Sequence, residues 1–90
     1  MIDLATLRRR LSFRSWHRGT KGMDLILGRF ADAALDRYDG EGLERYGRFL
    51  EESDPDIYDW LTGRAVPQGH RHRTVLQDLI AFHRLDGAHP

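Results

Sequence analysis

The chain has 90 residues, with 14 basic and 14 acidic side chains, no formal net charge and no cysteine. That length supports one domain over residues 1–90, with a small core burying roughly 60 to 65% of the unfolded chain's surface. The lack of cysteine excludes disulfides, thiolate zinc sites and thiol nucleophiles, and no apolar run approaches the roughly 18 residues that span a membrane.

Charge is distributed unevenly along the chain. From Arg8 to Lys21 there are six basic residues and no acid, whereas from Asp24 to Asp59 eleven acids face four arginines. This internal dipole argues against a general nucleic-acid coat, which needs a net basic domain, and for steering toward a partner of mixed polarity. The N-terminus carries no secretory hydrophobic segment, so a reducing cytosol or mitochondrial matrix is the expected compartment. The first 23 residues are Arg-rich with only Asp3 as an acid, a composition similar to a mitochondrial targeting helix as well as to a structural one.

Asp3 is a candidate N-cap for a first helix over Leu4 to His17, with Leu4, Leu7 and Leu11 on one face and Phe13 and Trp16 extending its apolar edge. Its arginines read either as a solvated face or as a basic docking face. Gly19 ends this helix, since glycine accepts the left-handed backbone of a C-terminal cap without a side-chain penalty. The second helix is predicted from Lys21 to Tyr38. Met23, Ile26, Leu27, Phe30, Ala34 and Tyr38 follow a 3.6-residue period, and Leu25 and Leu35 widen the stripe, which marks this helix as central.

Asp39-Gly40 is a turn dipeptide. The third helix, Glu41 to Glu51, offers Leu43, Tyr46, Phe49 and Leu50 to the core and places Glu41 and Glu44 near its positive end. Ser53-Asp54-Pro55 opens a short fourth helix with an N-cap oxygen and an early proline, and Ile57, Trp60 and Leu61 share its inward face. Gly63 stops that helix and Pro67-Gln68-Gly69 forms a loop. The fifth helix, Arg71 to Leu85, buries Val75, Leu76, Leu79, Ile80 and His83, and residues 86–90 are expected to fray. The fold class is therefore all-α, a small bundle of five helices with short connections.

Chemistry-bearing patterns are few. Glu51 and Glu52 are adjacent carboxylates with no partner nucleophile, and read as solvated surface. His70 and His72 are two residues apart and diverge on a helix, so no metal site is assigned. Neither a glycine-rich phosphate loop nor a serine elbow is present, and the chain is not read as an enzyme.

The stretch Arg18-Gly19-Thr20-Lys21-Gly22-Met23-Asp24 resembles the Arg-Gly-x-x-Glu signature of the small bacterial and mitochondrial succinate dehydrogenase assembly factors, with Gly22 at the position of the signature Glu. The likeness continues in order over residues 7–85. It includes an Arg-rich aromatic first helix, a long apolar second helix containing Phe30, a carboxylate-rich third helix, and the run Glu51 to Leu61 with its Asp54-Pro55-Asp56 and Trp60-Leu61 elements.

The resemblance implies a non-catalytic chaperone that docks on the succinate dehydrogenase flavoprotein, with fumarate reductase flavoprotein as a further client, and favours covalent attachment of FAD. The flavin belongs to the client and no cofactor is held by this chain. The implied partner-binding surface is Arg18 at an exposed corner, Gly19 for close backbone approach, Trp16, His17 and Lys21 as flanking contacts, Asp24 to orient Arg18, and Gly22. If Gly19 also caps the second helix, Gly22 falls at its third position, where a Glu could reach back to the cap amide. The rival readings are a nucleic-acid binder using Arg8 to Lys21 and a toxin–antitoxin component, a label attached to this family. Steep salt dependence of capture would mark the former.

Overall fold

A computed structural model describes residues 3–85; the segment 86–90 lies outside the described residues. Five α-helices follow one another: α1 (Leu4–Trp16), α2 (Lys21–Ala34), α3 (Gly40–Phe49), α4 (Asp54–Leu61) and α5 (Arg73–Leu85), with a 3-10 turn at Leu35–Arg37. The expected all-α bundle is what forms. Four helix starts are closed by a side-chain oxygen accepting from the amide three residues on: Asp3 from Thr6, Thr20 from Met23, Asp39 from Gly42 and Ser53 from Asp56. Each such cap contributes about 1 kcal/mol by satisfying an amide that the helix leaves without a partner.

The core is built on α2. Leu27, Phe30, Ala31 and Ala34 are almost fully buried, and Leu43, Tyr46, Phe49, Ile57, Val75 and Leu79 close around them from α3, α4 and α5. The aromatic rings run as a chain: Phe30 lies 5.7 Å from Tyr46, Tyr46 6.5 Å from Phe49, and Phe49 6.1 Å from Trp60. Tyr46 is buried with its hydroxyl intact because α1 supplies an acceptor. Ser15 donates to the Leu11 carbonyl at 2.8 Å, so the 2.6 Å contact with Ser15 is donated by the Tyr46 phenol. Against α2, the Trp16 ring occupies the space where a Cβ on Gly28 would sit, and its Nε1 donates to Asp32 at 3.2 Å. Only glycine permits that approach.

Several boundaries and faces differ from the periodicity. The second helix ends at Ala34 rather than Tyr38, and its last turn tightens into the 3-10 segment. Arg8 reaches across from α1 and donates to the Leu35 carbonyl (3.0 Å), which also accepts from the Tyr38 amide, and to the Tyr38 carbonyl (2.9 Å) just past the helix end. Helix α1 stops one residue early at Trp16, α3 spans Gly40–Phe49, and α5 starts at Arg73 rather than Arg71. Leu25 (44% exposed), Leu4 (41%) and Phe13 (63%) lie outside the core, whereas the reading from spacing placed them on apolar faces. Trp60, Leu61, Leu76, Ile80 and His83 are half-buried. No helix among the described residues is long and apolar enough to cross a membrane.

Candidate functional site

The turn between α1 and α2 takes only four residues, 17–20. Gly19 takes φ +105°, which L side chains rarely adopt, and Thr20 then caps α2. The helix start therefore differs from a Gly19 cap. Lys21, Gly22 and Met23 occupy its first three positions, and the capping-box position falls on the buried Met23, because Thr20 carries the side-chain oxygen that Gly19 lacks. Gly22 is exposed, with open space where its Cβ would be.

Arg18 is not an exposed fork. Its side chain is only 11% exposed and points under the corner, into the turn joining α3 to α4. Nε donates to Asp54 Oδ1 at 2.9 Å, Nη1 to the Leu50 carbonyl at 2.6 Å and Nη2 to the Glu52 carbonyl at 2.9 Å. The physical reason lies in the turn. The turn amides of Leu50, Glu51 and Glu52 occupy the carbonyls that end α3, and the Leu50 and Glu52 carbonyls just beyond are left to a planar guanidinium that can serve several acceptors at once and whose charge suits a helix C-terminus. Asp24, at the start of α2, accepts a hydrogen bond from the Arg18 backbone amide, so it does orient Arg18, through the main chain. Arg18 and Asp24 together bolt the α1–α2 corner onto the α3–α4 turn.

Of the other expected contacts, Trp16 is committed to the Gly28 approach described above. His17, Gly19, Lys21 and Gly22 face outward. The His17 ring stacks on Phe13 with centroids 3.9 Å apart, and its Nδ1 donates to the Phe13 carbonyl at 2.7 Å. The surface offered by the corner is thus mostly backbone and small side chains, held from beneath.

One pair escaped the sequence reading. His72 is 4% exposed, with Nε2 at 2.8 Å from the Glu52 carboxylate and its ring between Phe49 (5.5 Å) and Trp60 (5.8 Å). Glu52 is therefore not simple solvated surface: its carbonyl accepts from Arg18 while its carboxylate meets His72. The signal was present, since His72, Val75, Leu76 and Leu79 share one helical stripe. His70, by contrast, is exposed. Among the described residues no group of three or more His, Cys, Asp or Glu side chains converges as a metal site.

A protein-family model described as flavinator of succinate dehydrogenase matches residues 9–83. The chain belongs to this family. It is 45% identical over 83 residues to the FAD assembly factor SdhE of Acetobacter pasteurianus, an overlap covering 92% of this chain and 76% of that relative. It is also 45% identical over 67 residues to the mitochondrial succinate dehydrogenase assembly factor 2 of Aspergillus terreus, and 34% over 82 residues to that of Dictyostelium discoideum. These overlaps cover 74% and 90% of this chain, but only 23% and 57% of the two relatives. The chain therefore spans about a quarter of the Aspergillus protein and over half of the Dictyostelium one. The region matched to the flavinator family contains the whole Arg18 bolt, from Asp24 to the α3–α4 turn, and the Glu52–His72 pair.

Proposed function

We propose that this chain docks on the flavoprotein subunit of succinate dehydrogenase and promotes covalent attachment of FAD to it. The observation that carries this reading is the family match across residues 9–83, which takes in all but the outer turns of the bundle. Flavin and acceptor residue both belong to the client, and the chain acts without a reaction or cofactor of its own. It holds the client in the conformation competent for attachment, an effect bounded by its differential affinity for the two client states.

The docking surface in this reading is the corner formed by His17, Gly19, Lys21 and Gly22. Arg18, Asp24 and Trp16 give that surface its rigidity rather than touching the client with their full side chains. A pre-ordered backbone loses less entropy on binding than a mobile loop, and Gly19 and Gly22 keep it free of bulk. The flavoprotein of fumarate reductase, closely similar chemistry, is a second client under the same proposal. The working compartment is the bacterial cytoplasm or the mitochondrial matrix.

The test is reconstitution with purified apo-flavoprotein and FAD. Covalent flavin fluorescence of the client in a denaturing gel should rise when the chain is added. No rise, together with no complex by size-exclusion chromatography, overturns the proposal.

A further inference from the structure

The first helix has two faces of different chemistry. Its inward face is the Leu11, Ser15 and Trp16 side already described. Its outward face presents Thr6, Arg9, Arg10, Phe13, Arg14 and His17, at offsets 0, 3, 4, 7, 8 and 11 from Thr6. That is the helical period again, here carried by basic and aromatic residues rather than by the core stripe. The stripe runs about 16 Å along the helix and contains no acid.

Its arginines are largely unspent. Arg9 donates only to Thr6, one turn back on the same helix, at 3.2 Å, and Arg10 has no hydrogen-bond or ion-pair partner among the described residues. Arg14 makes a single long contact, 3.4 Å, to the Gly47 carbonyl. In the middle sits Phe13, 63% exposed, braced from below by the His17 ring and bordering a shallow cleft lined by Thr6, Arg9, Arg10 and Arg14. An exposed, pre-positioned aromatic ringed by guanidinium forks has the anatomy of a protein-docking patch, with an apolar anchor at its centre and charge at its rim.

We infer that this outward face of α1 is a second docking surface, taking a carboxylate-rich segment of the client. The inference rests on the proposed function for the identity of that client. Charge complementarity selects the carboxylates: three guanidiniums with no acid among them pair bidentately with Asp and Glu side chains. A long polyanion fits less well, because basic and acidic side chains cancel over the whole chain and eleven acids follow between Asp24 and Asp59. The stripe ends at His17, beside the Gly19 corner, so a client seated on both is gripped along a helix and at its end. Two separated contacts fix orientation as well as position.

The experiment uses the full chain and purified flavoprotein, with Kd measured by isothermal titration calorimetry at low and physiological salt. The variant Arg9→Glu/Arg10→Glu reverses two charges that, among the described residues, make no hydrogen bond or ion pair beyond their own helix, and a second variant, Phe13→Ala, removes the anchor. Both should keep the wild-type helical circular dichroism. Charge reversal should weaken Kd about tenfold at low salt and flatten the salt dependence, as rim charges do; Phe13→Ala should weaken Kd at both salts. If wild type binds while both variants retain its Kd and salt slope, the second surface is refuted and the proposed function stands. If wild type does not bind, both fall. Binding of a fluorescein-labelled single-stranded oligonucleotide at physiological salt, lost on the same charge reversal, would overturn the assignment to a carboxylate partner.

Discussion

Arg8 and Arg18 can be compared directly with Arg9 and Arg10, which lie in the same basic stretch. The first pair is turned inward, each guanidinium serving backbone carbonyls where a helix ends: Arg8 at Leu35 and Tyr38, Arg18 at Leu50 and Glu52. The second pair is turned outward: among the described residues Arg9 hydrogen-bonds only to Thr6 of its own helix and acts electrostatically on the Asp3 cap, and Arg10 has no hydrogen-bond or ion-pair partner. A basic run is thus two devices interleaved. One ties helices together by donating to carbonyls at helix ends, among them those of Tyr38, Leu50 and Glu52, and the other leaves charge available to a partner. Net charge and spacing do not separate them; only the position of each side chain relative to a helix end does.

The largest effect should come from Arg18→Ala. It strands two carbonyls and the half-buried Asp54 carboxylate, at about 2 to 4 kcal/mol, and lowers the melting temperature by on the order of 10 °C or more. Flavinylation should fall with it, because the corner loses its support. An unchanged melting temperature would mean that Arg18 is not a bolt, and its importance would have to come from a client contact. Arg8→Ala, which strands the Tyr38 carbonyl and leaves Leu35 with its backbone partner alone, should cost about 1 to 2 kcal/mol in urea denaturation. Arg10→Ala should change stability by less than about 0.5 kcal/mol. Equal costs for the two would erase the distinction between the inward and outward arginines.

The inward face of α1 can be probed through pH. Burial pushes the Tyr46 phenol from its ordinary value of 10.0 up to about 12. The unfolded chain therefore gives up this proton more readily than the folded one. The contribution to stability is complete below about pH 10 and is lost progressively as pH rises toward 12. Burial and the adjoining Asp78 shift the Tyr38 phenol upward as well, so alkaline unfolding should be only partly relieved by Tyr46→Phe. That variant should also cost about 1 kcal/mol near neutral pH for the lost hydrogen bond. A neutral-pH cost without any flattening of the alkaline limb of the stability curve would show that Tyr46 does not drive that limb.

Position 22 should respond with a small gain. It is the second residue of α2, with open space at its Cβ, so Gly22→Glu should stabilise by about 0.5 to 1 kcal/mol through helix propensity and the positive helix end. If the corner is the docking surface, client flavinylation should rise by more than this stabilisation explains. A rise in melting temperature with unchanged client affinity would reduce position 22 to a helix-start residue.

Much of the architecture was determined by the sequence alone. Asp3 and Ser53 cap their helices as read, and the stripes of α2, α3 and α5 bury Leu27, Phe30, Tyr46, Phe49, Val75 and Leu79, whereas Asp39-Gly40, read as a turn, is the N-cap and first residue of α3 because the Asp39 carboxylate accepts from the Gly42 amide. These features are legible because caps and periodicity act between residues within one or two turns of each other. The tertiary structure decided the rest. Arg18 meets its acceptors 32 to 36 residues away, and two of the three are backbone carbonyls, which carry no side-chain identity for a sequence to display. Glu52 and His72 pair across 20 residues; the stripe of α5 indicated that position 72 faces inward, but only the packing of α5 against the α3–α4 turn brings a carboxylate to it. Whether a charged side chain is spent within the protein or left for a partner is set by which helix end lies within its reach.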